Sequence, residues 1–272
     1  MHLTANHIII LITVLLLVIV VCGVIIGYLL FTKNKSSLNK GNNLECDKKV
    51  RNEIDSIIHT IAHDLKNPLT SIIGFSEVLS TSIRDKASKP DMKYLNRVYS
   101  NATHMNELLE GLMDFARSSQ PQSIIEDLEL GDILQEIISL QHFTIEETDT
   151  VINIPDDLPI VKTDKRKITH VFANLISNAI KFVPEGRAPA INISVGENGG
   201  YHEISVCDNG IGISENQLDE IFSLFYRAKE LDAVGSGIGL AIVKRIVDDL
   251  SGQVRVTSKQ GEGSIFTILL RK

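Results

Sequence analysis

Apolar side chains run without a charged interruption from Ile8 to Phe31, and nearly all of them are Ile, Leu or Val. At about 1.5 Å per residue a helix of that length spans roughly 36 Å, enough to cross a hydrocarbon core of about 30 Å with some tilt. The pattern predicts one transmembrane helix over 8–31. Residues 32–48 are polar, with Ser, Asn and Gly, and read as a juxtamembrane linker. Two seams with alternating steps of four and three follow. The first is Ile54, Ile58, Ile61, Leu65, Pro68, Ile72, Phe75 and Leu79, and the second is Leu95, Val98, Ala102, Met105, Leu109, Leu112 and Ala116. This is the spacing of a helical bundle. A polar turn over 82–91 separates them, so they predict an antiparallel hairpin over 49–118, whose apolar stripe is best buried by pairing with a second copy into a four-helix bundle.

Beyond a polar stretch at 118–122 the period changes repeatedly. Helical patterns at 130–143, 165–182 and 237–250 alternate with strand patterns at 150–161, 189–197, 201–208, 252–258 and 263–270. Residues 119–272 therefore predict an α/β sandwich, helices packed on one face of a mixed sheet. The fold class is α plus α/β, with one membrane helix.

Charge and cysteines narrow the setting. Lys33, Lys35 and Lys40 follow the apolar run and no Lys or Arg precedes it, so residues 1–7 are expected outside and the bulk of the chain in the cytoplasm. A cleaved signal peptide would have a basic start, a shorter apolar stretch and a small-residue cut site. None is present, and Val21 before Cys22 argues against a lipid-modified cysteine. Gly23 and Gly27 form a G-x-x-x-G pair, a spacing that lets two spans pack closely. Cys22, Cys46 and Cys207 make no even disulfide framework. A net charge of −7, with no long basic run, excludes nucleic acid as a partner.

The candidate chemistry lies in short polar groups. On the first seam His63 falls two residues past Ile61, on the outer face, with Asn67 one turn further on. Pro68 interrupts this helix. It lacks an N–H, leaves the Asp64 carbonyl without its helical donor and pushes the axis toward a bend. Asn174, Asn178 and Lys181, spaced four and three apart, share one helix face. An amide oxygen there can ligate Mg²⁺ and an ammonium can pair with phosphate, although an ordinary polar helix face has the same pattern. Asp208 ends a strand pattern, with Gly210 and Gly212 in the loop after it, which a plain Asp-Gly turn would also give. Gly235, Gly237 and Gly239 run into an apolar helix whose free N–H groups suit phosphate. They follow a lengthy lid-like segment at 214–234 rather than a strand, unlike a dinucleotide fingerprint.

In order, His63-Asp64-x-Lys66-Asn67-Pro68, Asn174-x-x-x-Asn178-x-x-Lys181, Asp208-x-Gly210-x-Gly212, Phe222-x-x-Phe225-Tyr226-Arg227 and Gly235-x-Gly237-x-Gly239 resemble the H, N, first G, F and second G boxes of the sensor histidine kinase family. The resemblance covers about residues 50–272. It implies a dimerising phosphotransfer hairpin and an ATP-binding domain of the Bergerat type, in the cytoplasmic membrane of a bacterium. It further implies a homodimer that autophosphorylates on His63 and passes the phosphoryl group to an aspartate of a response regulator. The large sensor and the linker domain that many relatives carry are not expected here, which leaves membrane lipid or a sensory membrane partner as the route for the stimulus.

By the same resemblance Asp64 accepts the proton of the other ring nitrogen, and Asn67 orients water for phosphatase activity toward the regulator. Asp208 reads the adenine amine, Asn178 holds Mg²⁺, and Lys181 with the Gly235–Gly239 backbone steadies the phosphates. Asn174, Gly210, Gly212, Phe222, Arg227 and Leu240 complete the ATP-binding set, with Phe222 and Phe225 packing the lid. Two rivals are weaker. The related hydrolysing ATPases place a glutamate where Asn174 stands, and an amide is no general base. His59 and His63 at i, i+4 have the spacing of a zinc clasp but no evident third ligand.

Overall fold

A computed structural model describes residues 44–83, 87–117, 124–226 and 236–272, with side chains from Asp55 onward. Among these residues no helix is long and apolar enough to cross a membrane. The expected span over 8–31 and its G-x-x-x-G pair lie outside them, as do Arg227 and Gly235. Residues 50–272 form one compact unit.

The hairpin consists of α1 (Leu44–Ser82) and α2 (Lys89–Arg117). α1 continues unbroken through Pro68. Its buried seam differs from the expected one. Ile58 and Leu65 are buried as anticipated, but Ala62, Leu69 and Ser76 take the remaining positions, while Pro68, Phe75 and Leu79 face outward. The apolar residues of α1 form two adjacent stripes. The one facing α2 carries small and branched residues at steps of four and three, and the other is left without a cover in a single chain. Phe75 is 71% exposed and Val78 63%, with Tyr94 and Val98 of α2 also exposed. On α2 the expected seam holds at Ala102, Leu109 and Ala116, which are buried.

After the hairpin come β1 (Glu126–Glu129), α3 (Leu130–Leu140), α4 (His142–Glu147), β2 (Val151–Asn153) and β3 (Ile160–Thr163). Then follow α5 (Lys165–Lys181), β4 (Ala190–Asn198), β5 (Tyr201–Asp208), α6 (Gly239–Asp249), β6 (Gln253–Lys259) and β7 (Gly263–Arg271). Five strands form one sheet in the order β2-β4-β5-β7-β6, with β2 and β4 parallel and the other neighbours antiparallel. β1 pairs with β3 in a separate two-stranded sheet. This strand was not anticipated, because "EDLE" has neither β-branched residues nor a clean alternation.

Period-two burial on β5 sends Ile204 and Val206 into the core. There they meet Phe172 and Ile176 of α5 and Ile242 and Ile246 of α6, in a cluster that also takes in Leu130, Ile133, Leu134 and Ile137 of α3. Each of these large side chains removed from water is worth about 1.5–3 kcal/mol in transfer terms, so the cluster holds α5 and α6 side by side on the sheet. α5 starts sharply because the Asp164 carboxylate caps it, accepting from Lys167 N at 3.1 Å, and also accepts from Ile124 N at 2.9 Å. Burial alone would raise the Asp164 carboxyl, but those two N–H donors and the cations Arg166 and Lys167 outweigh it and hold it below the usual aspartate range.

Candidate functional site

α1 presents His63, Asp64 and Asn67 to solvent. His63 is 61% exposed and Asp64 72%. Consecutive helical residues point about 100° apart, yet here the two side chains turn toward one another, and His63 Nδ1 lies 3.3 Å from Asp64 Oδ1. A carboxylate at Nδ1 favours the tautomer with hydrogen on that nitrogen, which leaves the Nε2 lone pair outward for an electrophile. Around the proline, the hydroxyls of Thr70 and Ser71 donate to the carbonyls of Lys66 and Asn67, at 2.9 and 3.2 Å.

A cleft of about 650 Å³ opens beside the hairpin, within the range of about 300–1,000 Å³ that takes small ligands. One wall is α5. Its residues Asn174, Asn178 and Lys181 line the cleft on one stripe, and His170 extends that stripe by one turn. Asn174 donates through Nδ2 to the carbonyl of His170 at 2.8 Å, which turns its Oδ1 toward Gly239. A Cβ on Gly239 would stand 2.6 Å from that oxygen. Asn174 thus braces the start of α6, and a side chain at Gly239 would have to displace the Asn174 amide. The N-cap of α6, Ile238, supplies no side-chain hydrogen bond, so the first N–H groups of the helix remain for an anion.

The opposite wall is formed by the turn after β5. Asp208 accepts from Gly210 N at 2.8 Å and Ser264 N at 3.1 Å, both through Oδ1. Burial pushes its carboxyl above the ordinary aspartate value, and these two backbone donors offset only part of the effect. Gly212 and Leu240 line the cleft. Gly210 lies against the carbonyl of Phe182, 2.5 Å from where its Cβ would be. Gly237 adopts φ 68°, a left-handed conformation suited to glycine. Phe222 does not line the cleft. It packs against the core, and Ile221 and Tyr226 of the same segment face the cavity instead.

The structure also brings in residues that the sequence reading left out. Glu107, Glu110 and Asp114 of α2 line the cleft. Their three-and-four spacing was visible, but nothing in the sequence says that this face of the hairpin meets α5. His170 was legible as the next turn of the Asn174 stripe. Burial holds its imidazole below the usual histidine range, with Asp114 opposing. A half-buried acid acceptor, an ammonium, an amide stripe and open helix N–H groups suit an anionic nucleotide. The Asn178 side-chain oxygen suits a hard divalent cation.

Comparison with known proteins agrees with this geometry. The family model for the His Kinase A (phospho-acceptor) domain matches residues 54–121. That for the histidine kinase-, DNA gyrase B- and HSP90-like ATPase matches residues 163–272. Residues 126–162, between the two, add β2 to the five-stranded sheet, α3 to its core and β1 to the small sheet with β3. The aerobic respiration control sensor protein ArcB of Escherichia coli is 29% identical over 224 residues, covering 79% of this chain and 28% of that protein. The autoinducer 2 sensor kinase/phosphatase LuxQ of Vibrio vulnificus is 28% identical over 259 residues, covering 91% of this chain and 29% of that one. The chain spans under a third of the length of these curated relatives. The crystal structure of full-length ShkA in complex with AMPPNP shares the fold, with a TM-score of 0.56 at 23% identity over 79% of this chain and 45% of that one. With a phospho-acceptor domain and a kinase-type ATPase domain in tandem, and sensor kinases as its relatives, the chain belongs to the sensor histidine kinase family.

Proposed function

We propose that the chain is an ATP-dependent protein histidine kinase that phosphorylates its own His63 and passes the phosphoryl group to an aspartate on the receiver domain of a response regulator. One observation carries this reading: an exposed imidazole, oriented by Asp64, shares a compact unit with a cleft whose walls suit a nucleoside triphosphate. Asp208 would accept the adenine amine, and Lys181 with the backbone at Gly237 and Gly239 would hold the phosphates. Mg²⁺ at the Asn178 oxygen would neutralise charge on the phosphate oxygens. In the transfer, His63 Nε2 forms the N–P bond while the bond from the γ-phosphorus to its bridging oxygen breaks. The electron pair leaves with ADP, and the Nδ1 hydrogen stays toward Asp64.

The uncovered stripe at Phe75, Val78, Tyr94 and Val98 supports a homodimer built as a four-helix bundle. Asn67, exposed one turn from His63, is the candidate for orienting water in a phosphatase reaction, an activity for which the Vibrio sensor kinase/phosphatase is named. The apolar run at 8–31 supports a single-pass anchor in the cytoplasmic membrane, with lipid or a sensory membrane protein as the neighbour that brings the stimulus. The test is incubation of the membrane-embedded full chain with γ-labelled ATP and Mg²⁺. The expected product is an acid-labile, alkali-stable phosphoprotein that His63→Gln abolishes. Equal labelling of that variant overturns the reading.

A further inference from the structure

Lys66 stands out by its place. It lies three residues after His63, hence one turn along the same side of α1. No other Lys or Arg occurs in the sequence between Arg51 and Arg84, so Lys66 is the cation that α1 offers near the acceptor. Its ammonium crosses from α1 to α2 and donates to Glu110 Oε1 at 2.8 Å. Glu110 in turn lines the cleft, together with Glu107 and Asp114. A single ion pair therefore spans from the acceptor's neighbourhood on α1 to the rim of the cleft.

The rim is otherwise hostile to the group that must cross it. Three carboxylates of α2 face the space in which a triphosphate would lie, and they repel a phosphoryl group on its way to His63. The bland role for Lys66 is a tie between two helices, but the pair is too wet for that to be worth much. Lys66 and Glu110 are 40% and 49% exposed, and exposed pairs contribute about 0–1 kcal/mol. Such a pair is easily exchanged for one with a dianion, to which an ammonium binds more strongly.

We infer that Lys66 is a phosphoryl-binding residue of the transfer step, parked on Glu110 until the phosphoryl group arrives and then moving to an oxygen of the group attached to His63 Nε2. This inference rests on the proposed kinase activity. It adds a cation supplied by the acceptor helix itself, one turn from His63 and paired with a carboxylate of the cleft rim. No bond to Lys66 forms or breaks. Its contribution is to hold negative charge that grows at the acceptor as the N–P bond forms.

The experiment measures initial labelling rates of the full chain with γ-labelled ATP and Mg²⁺, in the wild type, Lys66→Met, Lys66→Arg, Glu110→Gln and the Lys66→Met/Glu110→Gln double variant. Lys66→Met is expected to lower the rate at saturating ATP by about tenfold, the loss of one charge-assisted hydrogen bond, with the KM for ATP unchanged within about twofold. Lys66→Arg retains most of the rate. Glu110→Gln, which frees Lys66 and removes a repelling charge, labels faster than the wild type, and the double variant resembles Lys66→Met. If Lys66→Met and Glu110→Gln are slowed alike, Lys66 is a helix tie and the inference is overturned; a wild-type rate for Lys66→Met overturns it too. Circular dichroism and nucleotide binding check that each variant folds. A wild-type chain that takes no label sinks the kinase reading itself, an outcome distinct from either result on Lys66.

Discussion

Arg245 of α6 donates through Nη2 to Asp55 Oδ2 of α1 at 2.6 Å, across 190 residues of sequence. The guanidinium is 5% exposed, and its central carbon lies 4.1 Å from the centroid of the Phe115 ring on α2. Both helices of the hairpin are thereby joined to the helix that begins at the cleft. A guanidinium this deeply buried needs its counter-ion, and its Nε finds no partner among the described residues.

Removing Asp55 should therefore cost much more than removing a surface charge. Asp55→Ala is expected to destabilise residues 50–272 by about 3–5 kcal/mol, the range for stripping one partner from a buried pair. Combining it with Arg245→Met should recover a large part of that loss, because no charge is then left buried. Chemical denaturation of the four corners of this cycle measures the coupling. A loss for Asp55→Ala no greater than for exposed carboxylates, such as Glu262, contradicts the assignment.

The Asp208 carboxyl gives a pH dependence with a defined sign. Burial raises it above the ordinary aspartate value, so the folded state holds its proton to higher pH than the unfolded chain does. Its contribution to stability is thus present below the unfolded value and lost as pH rises through the folded one. On the proposed reading nucleotide binding runs the other way, because an adenine amine at Asp208 would need an acceptor. Affinity for ATP should fall on acidification, with an onset above the ordinary aspartate range. Asp208→Asn should bind ATP at least about tenfold more weakly and show a flatter pH profile below neutrality, measured by calorimetric titration.

Much of this was readable from residue spacing, and the exceptions have physical causes. The α5 stripe is set by the helical period, and Asn174, Asn178 and Lys181 lie together in the cleft as that period requires. Asp208 and the nearby glycines were legible because a strand end and tight backbone approach demand those residue types. The hairpin seam covers two adjoining apolar stripes of α1, and periodicity alone does not say which one meets α2: Ile58 and Leu65 are buried in the single chain, whereas Phe75 lies on the stripe left uncovered there. Phe222, expected to pack the lid, rests against the core, because an apolar ring at that point of the segment has a buried surface to meet. The α2 carboxylates and the Arg245–Asp55 pair depend on how the ATPase domain sits against the hairpin. That is a tertiary fact with no local signature.

Asn67 should separate two activities. It is exposed on the outer side of α1, one turn from His63, and is not among the residues that line the cleft. Asn67→Ala is expected to keep autophosphorylation within about twofold and to slow dephosphorylation of the phosphorylated receiver domain by about 10²-fold, the usual scale for losing a group that orients a reacting water. Equal loss of both activities refutes the role.

Pro68 lies next to Asn67 and one turn beyond Asp64, so its effect bears on both activities. Without an N–H it leaves the Asp64 carbonyl short of its helical donor. The hydroxyls of Thr70 and Ser71 bond back to the carbonyls of Lys66 and Asn67, contacts that slightly weaken and bend helices. Three of the four carbonyls over 64–67, those of Asp64, Lys66 and Asn67, are thus bound less tightly than in a regular helix, while the helix as a whole stays continuous. Such a soft turn is expected to let α1 present His63 in more than one orientation at little cost. Pro68→Ala restores the missing hydrogen bond, so it should stabilise the hairpin against thermal unfolding and shift the ratio of kinase to phosphatase rates by severalfold. An unchanged ratio in a variant with a raised melting temperature would show that the soft turn has no part in choosing between the two reactions.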